Sequence, residues 1–486
     1  MREHYRYRYQ AREVLTRQKV AKGDVLLSSL PFVYLVNASS KGLYCDHCLK
    51  KNSTHQNLQR CSGCKVECYC SKECQRGSWD IHRFECKNLQ RIYPLIPPDT
   101  AKLIAKVILR LKTGGDQFEE RITEKRSRKF KDLMNHYTDL KDDVKRQEHL
   151  TSLVVVLRKY LGTNNLPNEV ELQGIFGRVC VNSFSITDTD MNTVGTGVYL
   201  AASIFDHSCE PNAYVTFDGK HLLCRSLVDW PSLDWNKVRI SYIDVMNTTT
   251  DRLEELHNRY YFWCDCSACH NPERDKFMSS INCGNTACTA PIFIDENDDD
   301  DTPIGACSAC GFNDLSLDKR TKYCKIANYC REQLEVMKEK YYLDLCQRVI
   351  EKQGDLFHKL NILRVRFLDA GFEAAIALHN WDIAIQYGTQ NIEGLKFYYG
   401  EDHPNIGLVL LKLGKICSHI YRLQDAVHYL AQAEKILLIS HGKSHPLYKE
   451  ELKPLIEQAN EELKIFTHRK KWTNSNFAVN FRTTCG

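Results

Sequence analysis

The spacing of cysteine and histidine between residues 45 and 86 limits what this chain can fold into more than any other feature. It reads Cys45-x2-Cys48, Cys61-x2-Cys64, Cys70-x3-Cys74 and His82-x3-Cys86. Eight thiol and imidazole ligands in this register make two tetrahedral zinc sites. In the usual interleaved arrangement Cys45, Cys48, Cys70 and Cys74 hold one ion, and Cys61, Cys64, His82 and Cys86 hold the other. Cys68 falls between ligands without a slot and reads as a spare thiol. Few apolar residues surround these ligands, so metal binding must supply most of the folding energy of the segment.

The other common use of cysteine, a disulfide framework, belongs to oxidising compartments. The opening MREHYRYRYQ is polar and aromatic with no apolar run behind it, which does not read as a secretory signal. No stretch approaches the length of apolar sequence a spanning helix needs. The expectation is a protein of the cytoplasm and nucleus with no membrane partner, in which 23 cysteines form no disulfide framework and the close cysteine pairs point to metal. At 486 residues the chain exceeds one compact core, and about two to four domains are expected.

Two more cysteine groups follow. Cys264-x-Cys266-x2-Cys269 supplies three ligands, one short of a closed structural site; Cys209, directly after His207 and Ser208, is available as the fourth. Cys283-x4-Cys288 and Cys307-x2-Cys310 read as a zinc ribbon. The acidic run IDENDDDDT at 294–302 between the ribbon pairs reads as a solvated hairpin tip, with an acidic lure for basic tails as the sharper alternative. Each all-cysteine site adds a charge of about −2 and the histidine-containing site about −1, which turns the formal +5 into about −2. The protein is therefore not a basic nucleic-acid binder overall, and any DNA binding is expected to be weak.

Elsewhere the pattern is helical. TAKLIAKVILRLK at 100–112 and LTSLVVVLRKYL at 150–161 carry apolar residues at helical spacing, and the basic stretch EKRSRKFK at 124–131 is expected to be a solvated helix face, with a nucleic-acid contact as the alternative reading. Residues 384–404 realign with 426–446 at a shift of 42, matching Ala384, Tyr387, Gly400, His403 and Pro404 to Ala426, Tyr429, Gly442, His445 and Pro446. This is a helix-pair repeat resembling a tetratricopeptide (TPR) repeat, with His403 and His445 as loop or capping residues.

The finger segment, with YCSKECQ at 69–75 and Trp79 three residues before His82, resembles a MYND zinc finger. The segments VNSF at 181–184, GTGVY at 195–199, SIFDHSCEPN at 203–212, VRISYID at 238–244 and RYYFWCDCSAC at 259–269 resemble, in order, a SET domain with its post-SET zinc clip. Together, from about residue 14 to 465, the chain resembles the SMYD family of SET and MYND protein-lysine methyltransferases. GTG alone is weak, because it lacks the third glycine and the strand-to-helix setting of a dinucleotide loop.

The resemblance implies an α+β fold: a SET-domain β-core with an inserted MYND finger and helical insert, a post-SET clip, and an all-α TPR-like C-terminal domain. Its expected parts are an atypical start of the SET domain at 1–44, the finger at 45–86, the insert at 87–178, the SET core at 179–247, the clip at 248–272, the ribbon at 280–312, the TPR-like domain at 320–466 and a tail at 467–486. It implies S-adenosylmethionine as methyl donor, held by Asn182, Ser203, Phe205, Asp206, His207, Tyr260 and Phe262, with Phe262 stacking on adenine. Phe184, Tyr242 and Tyr260 are the implied walls of the substrate-lysine channel, and Tyr242 the implied catalytic residue. The implied substrates are histone or non-histone proteins, with proline-rich peptides at the finger, a chaperone or another protein at the TPR-like domain, and a monomeric chain.

Three departures from the family pattern stand out. The family's early Gly-x-Gly turn is replaced by Ala11 to Glu13, and the turn before VRISYID reads DWNK at 234–237. Asp206 stands where asparagine is usual; an ionised carboxylate only accepts hydrogen bonds, attracts the donor's ammonium and sulfonium, and repels its carboxylate. Two further readings therefore stand beside the methyltransferase: a scaffold of the same fold that binds partners and transfers nothing, and a nucleic-acid-binding regulator working through the finger.

Overall fold

The computed structural model describes residues 19–52, 57–271, 273–295, 305–313, 317–337 and 340–482, without the side chains of 317–318 and 469–482. The Ala11 to Glu13 segment and most of the acidic run after Asp295 lie outside the described residues. The chain divides into two units, one running to Ile243 with Leu253–Cys264 added, the other formed by Asp244–Arg252 and the chain from Asp265 onward.

The first unit mixes sheet and helix. One antiparallel sheet joins Val25–Ser29, His221–Ser226 and Ala213–Asp218, and a second joins Val33–Val36, Thr193–Val198 and Ser183–Thr187. A short parallel pair sets Asp206 opposite Arg239 and His207 opposite Ile240. The GTG run lies inside the strand Thr193–Val198. A Cβ on Gly195 would fall 2.6 Å from the Leu35 carbonyl, so glycine there permits close backbone approach rather than a phosphate loop. Gly219 opens the two-residue turn between Asp218 and His221 with φ +58°, and a Cβ there would meet the Cys48 carbonyl at 2.1 Å. No other residue fits, because the finger's backbone is pressed against the hairpin at that point.

The finger ends in the helix Lys72–Ile92, whose N-cap Ser71 accepts a hydrogen bond from the Cys74 N–H. Helix Asp99–Lys112 buries Ala101 through Ile108 on all sides, as a helix apolar around most of its circumference must. It packs with Val144–Leu161 and Glu169–Asn182 around Phe32, Leu157, Tyr160 and Phe176. Two lysines within this apolar helix are not misplaced. Lys102 Nζ lies 2.9 Å from Glu67 and Lys106 Nζ 2.5 Å from Glu85, both partners belonging to the finger. Buried charges of this kind persist only when paired.

The stretch 124–131 is not the helix face expected from its charge. It forms the turn and second strand of a hairpin, Glu120–Thr123 paired with Arg126–Arg128. Charge content carried no periodicity there. What decides the hairpin is Glu120, whose carboxylate accepts from Ser29 Oγ at 2.6 Å and from the Ala201 N–H at 2.9 Å.

In the second unit the 42-residue repeat extends to the capping bonds. Helices Ile362–Ala377 and Pro404–His419 end alike: His379 and Tyr421 both take positive φ, and Asn380 N donates to Ala375 O as Arg422 N does to Cys417 O. Gly400 and Gly442 both take positive φ after Trp381–Tyr399 and Leu423–Ser440. His403 Nδ1 then accepts from the Asn405 N–H, and His445 Nδ1 from the Leu447 N–H. The two histidines are N-terminal caps, the role their equivalent positions suggested. Among the described residues no helix is long and apolar enough to cross a membrane.

Candidate active site and metal centres

Four cysteine-rich groups are assembled, each with its four ligand atoms within 4.8 Å of one another: Cys45, Cys48, Cys70 and Cys74; Cys61, Cys64, His82 and Cys86; Cys209, Cys264, Cys266 and Cys269; and Cys283, Cys288, Cys307 and Cys310. Zinc–sulfur bonds of tetrahedral geometry place sulfurs about 3.8 Å apart. The observed separations fit: 3.8 Å for Cys48 to Cys70, 3.8 Å for Cys61 to Cys86, 3.6 Å for Cys283 to Cys310 and 3.9 Å for Cys288 to Cys307. The donor sets and spacing suit structural zinc. Cys68 joins none of them, its sulfur facing the Val66 carbonyl.

His82 turns Nε2 to Cys61 and Cys64, at 3.4 and 3.6 Å, and Nδ1 toward Glu85 at 3.9 Å. Glu85 thus stands behind a ligand histidine, the usual place for a carboxylate that fixes the ring's tautomer and orientation. Lys106 balances that carboxylate from the insert, so the finger's zinc site and the helix Asp99–Lys112 share one buried electrostatic network.

The expected lysine-channel residues converge on a cavity of about 220 Å³ whose walls include Phe184, Phe205, Tyr242 and Tyr260. Its volume suits an aliphatic side chain rather than a whole cofactor. Tyr242 is packed at 5.0 Å from the Tyr260 ring, 5.3 Å from the His207 ring and 6.4 Å from Phe262, giving an aromatic cluster drawn from three separate segments. The Tyr242 hydroxyl donates a short hydrogen bond to the Phe205 carbonyl. Burial pushes its phenol well above the usual tyrosine range, with Asp206 adding to the rise, so at neutral pH it keeps its proton.

His207 ties this cluster to a metal group. Its Nδ1 accepts from the Tyr242 N–H at 3.0 Å, so the neutral ring carries its proton on Nε2, which lies 3.3 Å from Cys209 Sγ. Asn182 and Ser203 also line the cavity, but they turn their donors inward. Asn182 Nδ2 donates to Met134 O and Arg178 O, and Ser203 Oγ to Tyr199 O. Asp206 does not line the cavity; next to the wall residue Phe205, it keeps its side chain 75% exposed, 3.8 Å from Arg239.

Sequence reasoning missed Arg128, which donates from Nη1 to the Ser203 carbonyl at 2.5 Å. It also missed Tyr214, which lines the cavity. The signal for Arg128 was its place in a basic run, which charge content alone could not separate from a solvated face.

Comparison with protein-family models matches the MYND finger to residues 45–86. Among curated proteins, the histone-lysine N-methyltransferase SMYD3 of Homo sapiens is 29% identical over 448 residues, covering 91% of this chain and 94% of the relative. The N-lysine methyltransferase SMYD2-A of Danio rerio is 25% identical, covering 90% and 93%. The histone-lysine N-methyltransferase ASHR1 of Arabidopsis thaliana is 26% identical, covering 93% and 94%. With a MYND finger matched at 45–86, the chain is similar along nine tenths of its length to SET and MYND protein-lysine methyltransferases of the SMYD group.

Proposed function

We propose that this chain is a protein-lysine N-methyltransferase using S-adenosylmethionine, with the strands of its first unit as a SET-type core and the paired helices of its second as a TPR-like stack. The observation that carries the reading is the convergence of Phe184, Tyr242 and Tyr260 on one narrow cavity, with His207 and Phe262 packed beside it. The curated relatives named as lysine methyltransferases support it independently.

When bound, S-adenosylmethionine supplies a methyl group activated by its sulfonium. Asn182, Ser203, Phe205, Asp206, His207, Tyr260 and Phe262 are the residues that would hold it, the aromatic faces accepting adenine and the backbone of 203–207 its polar edge. The work left to the chain is to present a neutral, oriented amine. Apolar and aromatic walls disfavour an ammonium and so release its proton. Tyr242 spends its own proton on Phe205 O, which leaves the hydroxyl's lone pairs to accept from the amine's N–H. Tyr242 therefore aligns the nucleophile and does not act as a base.

The substrates are proteins, histone or non-histone, and the MYND finger is a module for protein partners such as proline-rich segments. Titration calorimetry of the zinc-loaded chain with S-adenosylmethionine tests the reading. Saturable binding is expected; no heat at millimolar donor with the chain folded would favour the scaffold.

A further inference from the structure

Asp206 follows the cavity-wall residue Phe205 and carries a carboxylate where the family resemblance implies asparagine, and two arginines interact with it. Arg239 lies opposite Asp206 in the parallel strand pair, its Nη1 3.8 Å from Asp206 Oδ2, but that same nitrogen donates to Asn236 O and Val238 O. Arg239 is thus largely committed to its own loop.

Arg128 is not so committed. Its only hydrogen bond among the described residues runs from Nη1 to Ser203 O, which leaves most of a guanidinium fork available. Burial lowers its basicity somewhat, Arg126 adds to that, and Asp132, Asp206 and Tyr242 oppose it. Arg128 therefore stands within electrostatic reach of both the Asp206 carboxylate and the cavity tyrosine Tyr242. Its placement is built: Glu120, its partner across the hairpin, is hydrogen-bonded to Ser29 and Ala201.

We propose that Arg128 and Asp206 together read the zwitterionic amino-acid end of the methyl donor, Arg128 taking its carboxylate and Asp206 its ammonium. The inference rests on the methyltransferase reading and makes the aspartate one half of a charge-matched receiver. A guanidinium fork suits a carboxylate, and an acceptor-only carboxylate suits an ammonium. Asp206 alone would repel the donor's carboxylate; beside Arg128 that penalty is offset.

The test is calorimetric binding of three probes to the full zinc-loaded chain: S-adenosylmethionine, its decarboxylated analogue, and 5′-methylthioadenosine, which lacks the amino-acid end. Arg128→Ala should weaken S-adenosylmethionine about tenfold or more and leave the other two nearly unchanged. Asp206→Ala should weaken S-adenosylmethionine and the decarboxylated analogue, sparing methylthioadenosine. Arg128→Lys should restore part of the loss. If Arg128→Ala fails to fold, Arg128→Gln keeps a donor for Ser203 O while removing the charge, and the same pattern is expected. Equal weakening of all three probes by Arg128→Ala, or no weakening of S-adenosylmethionine, overturns the proposal and leaves the methyltransferase reading standing. Failure of the unaltered chain to bind S-adenosylmethionine overturns both.

Discussion

Replacing Lys102 by methionine removes one charge from the buried network between finger and insert and keeps the volume. Lys102 is 1% exposed and its Nζ sits 2.9 Å from Glu67, itself 5% exposed. Glu67 also faces Lys41 at 3.1 Å, and Lys41 is shared with the buried Asp46. Without Lys102 two buried carboxylates divide one lysine, so the loss should be about 3–5 kcal/mol, far above the roughly 0–1 kcal/mol of an exposed pair. The pH dependence sharpens the test. Burial alone would raise the Glu67 carboxyl, but Lys102, Lys41 and Lys106 prevail and hold it well below the usual range. A depressed carboxyl contributes stability that is complete above the unfolded value of about 4.5 and is lost as pH falls through the folded one. In Lys102→Met the Glu67 carboxyl rises, so acid destabilisation should begin at higher pH. Thermal and urea unfolding of the zinc-loaded chain, followed by circular dichroism from pH 4 to 8, measures both effects. The double variant Glu67→Gln/Lys102→Met should recover much of the loss. A single variant within about 1 kcal/mol of the parent would refute the claim that this pair carries a buried charge balance.

Tyr242→Phe keeps the ring contacts and removes the hydroxyl, so methyl transfer should fall on the order of a hundredfold while donor affinity stays within about threefold; an equal fall in both would make the tyrosine a donor-binding residue instead. Elemental analysis should find close to four zinc ions per chain, one for each cysteine-rich group, and Cys68→Ser should not change the number. Gly219→Ala introduces a Cβ 2.1 Å from the Cys48 carbonyl at a positive φ and should cost about 2 kcal/mol or more, read as chelator sensitivity of the finger at lower concentration than in the parent.

The parts legible in the sequence were those whose chemistry fixes both residue type and spacing. Zinc needs four ligands in a small sphere, so the quartets could be assigned from spacing, including Cys209 with its distant partners. The helix Asp99–Lys112 could be read from its apolar period, and the repeated caps at His403 and His445 from the 42-residue shift. What was not legible depended on tertiary partners. Lys102 and Lys106 look like polar breaks in an apolar helix until Glu67 and Glu85 are brought to them from the finger. The 120–128 hairpin is decided by where Glu120 finds Ser29 and Ala201, contacts about 90 and 80 residues away in sequence that no local pattern encodes. Arg128 is placed over Ser203 only by that hairpin.

The most direct test of the methyltransferase reading is transfer itself. The zinc-loaded chain would be incubated with radiolabelled S-adenosylmethionine and a panel of histone and non-histone proteins, and labelled products mapped by mass spectrometry. The account predicts methyl groups on lysine Nε atoms, strongly reduced by Tyr242→Phe. Saturable donor binding with no methylated lysine anywhere in the panel, or transfer unaffected by Tyr242→Phe, would contradict it.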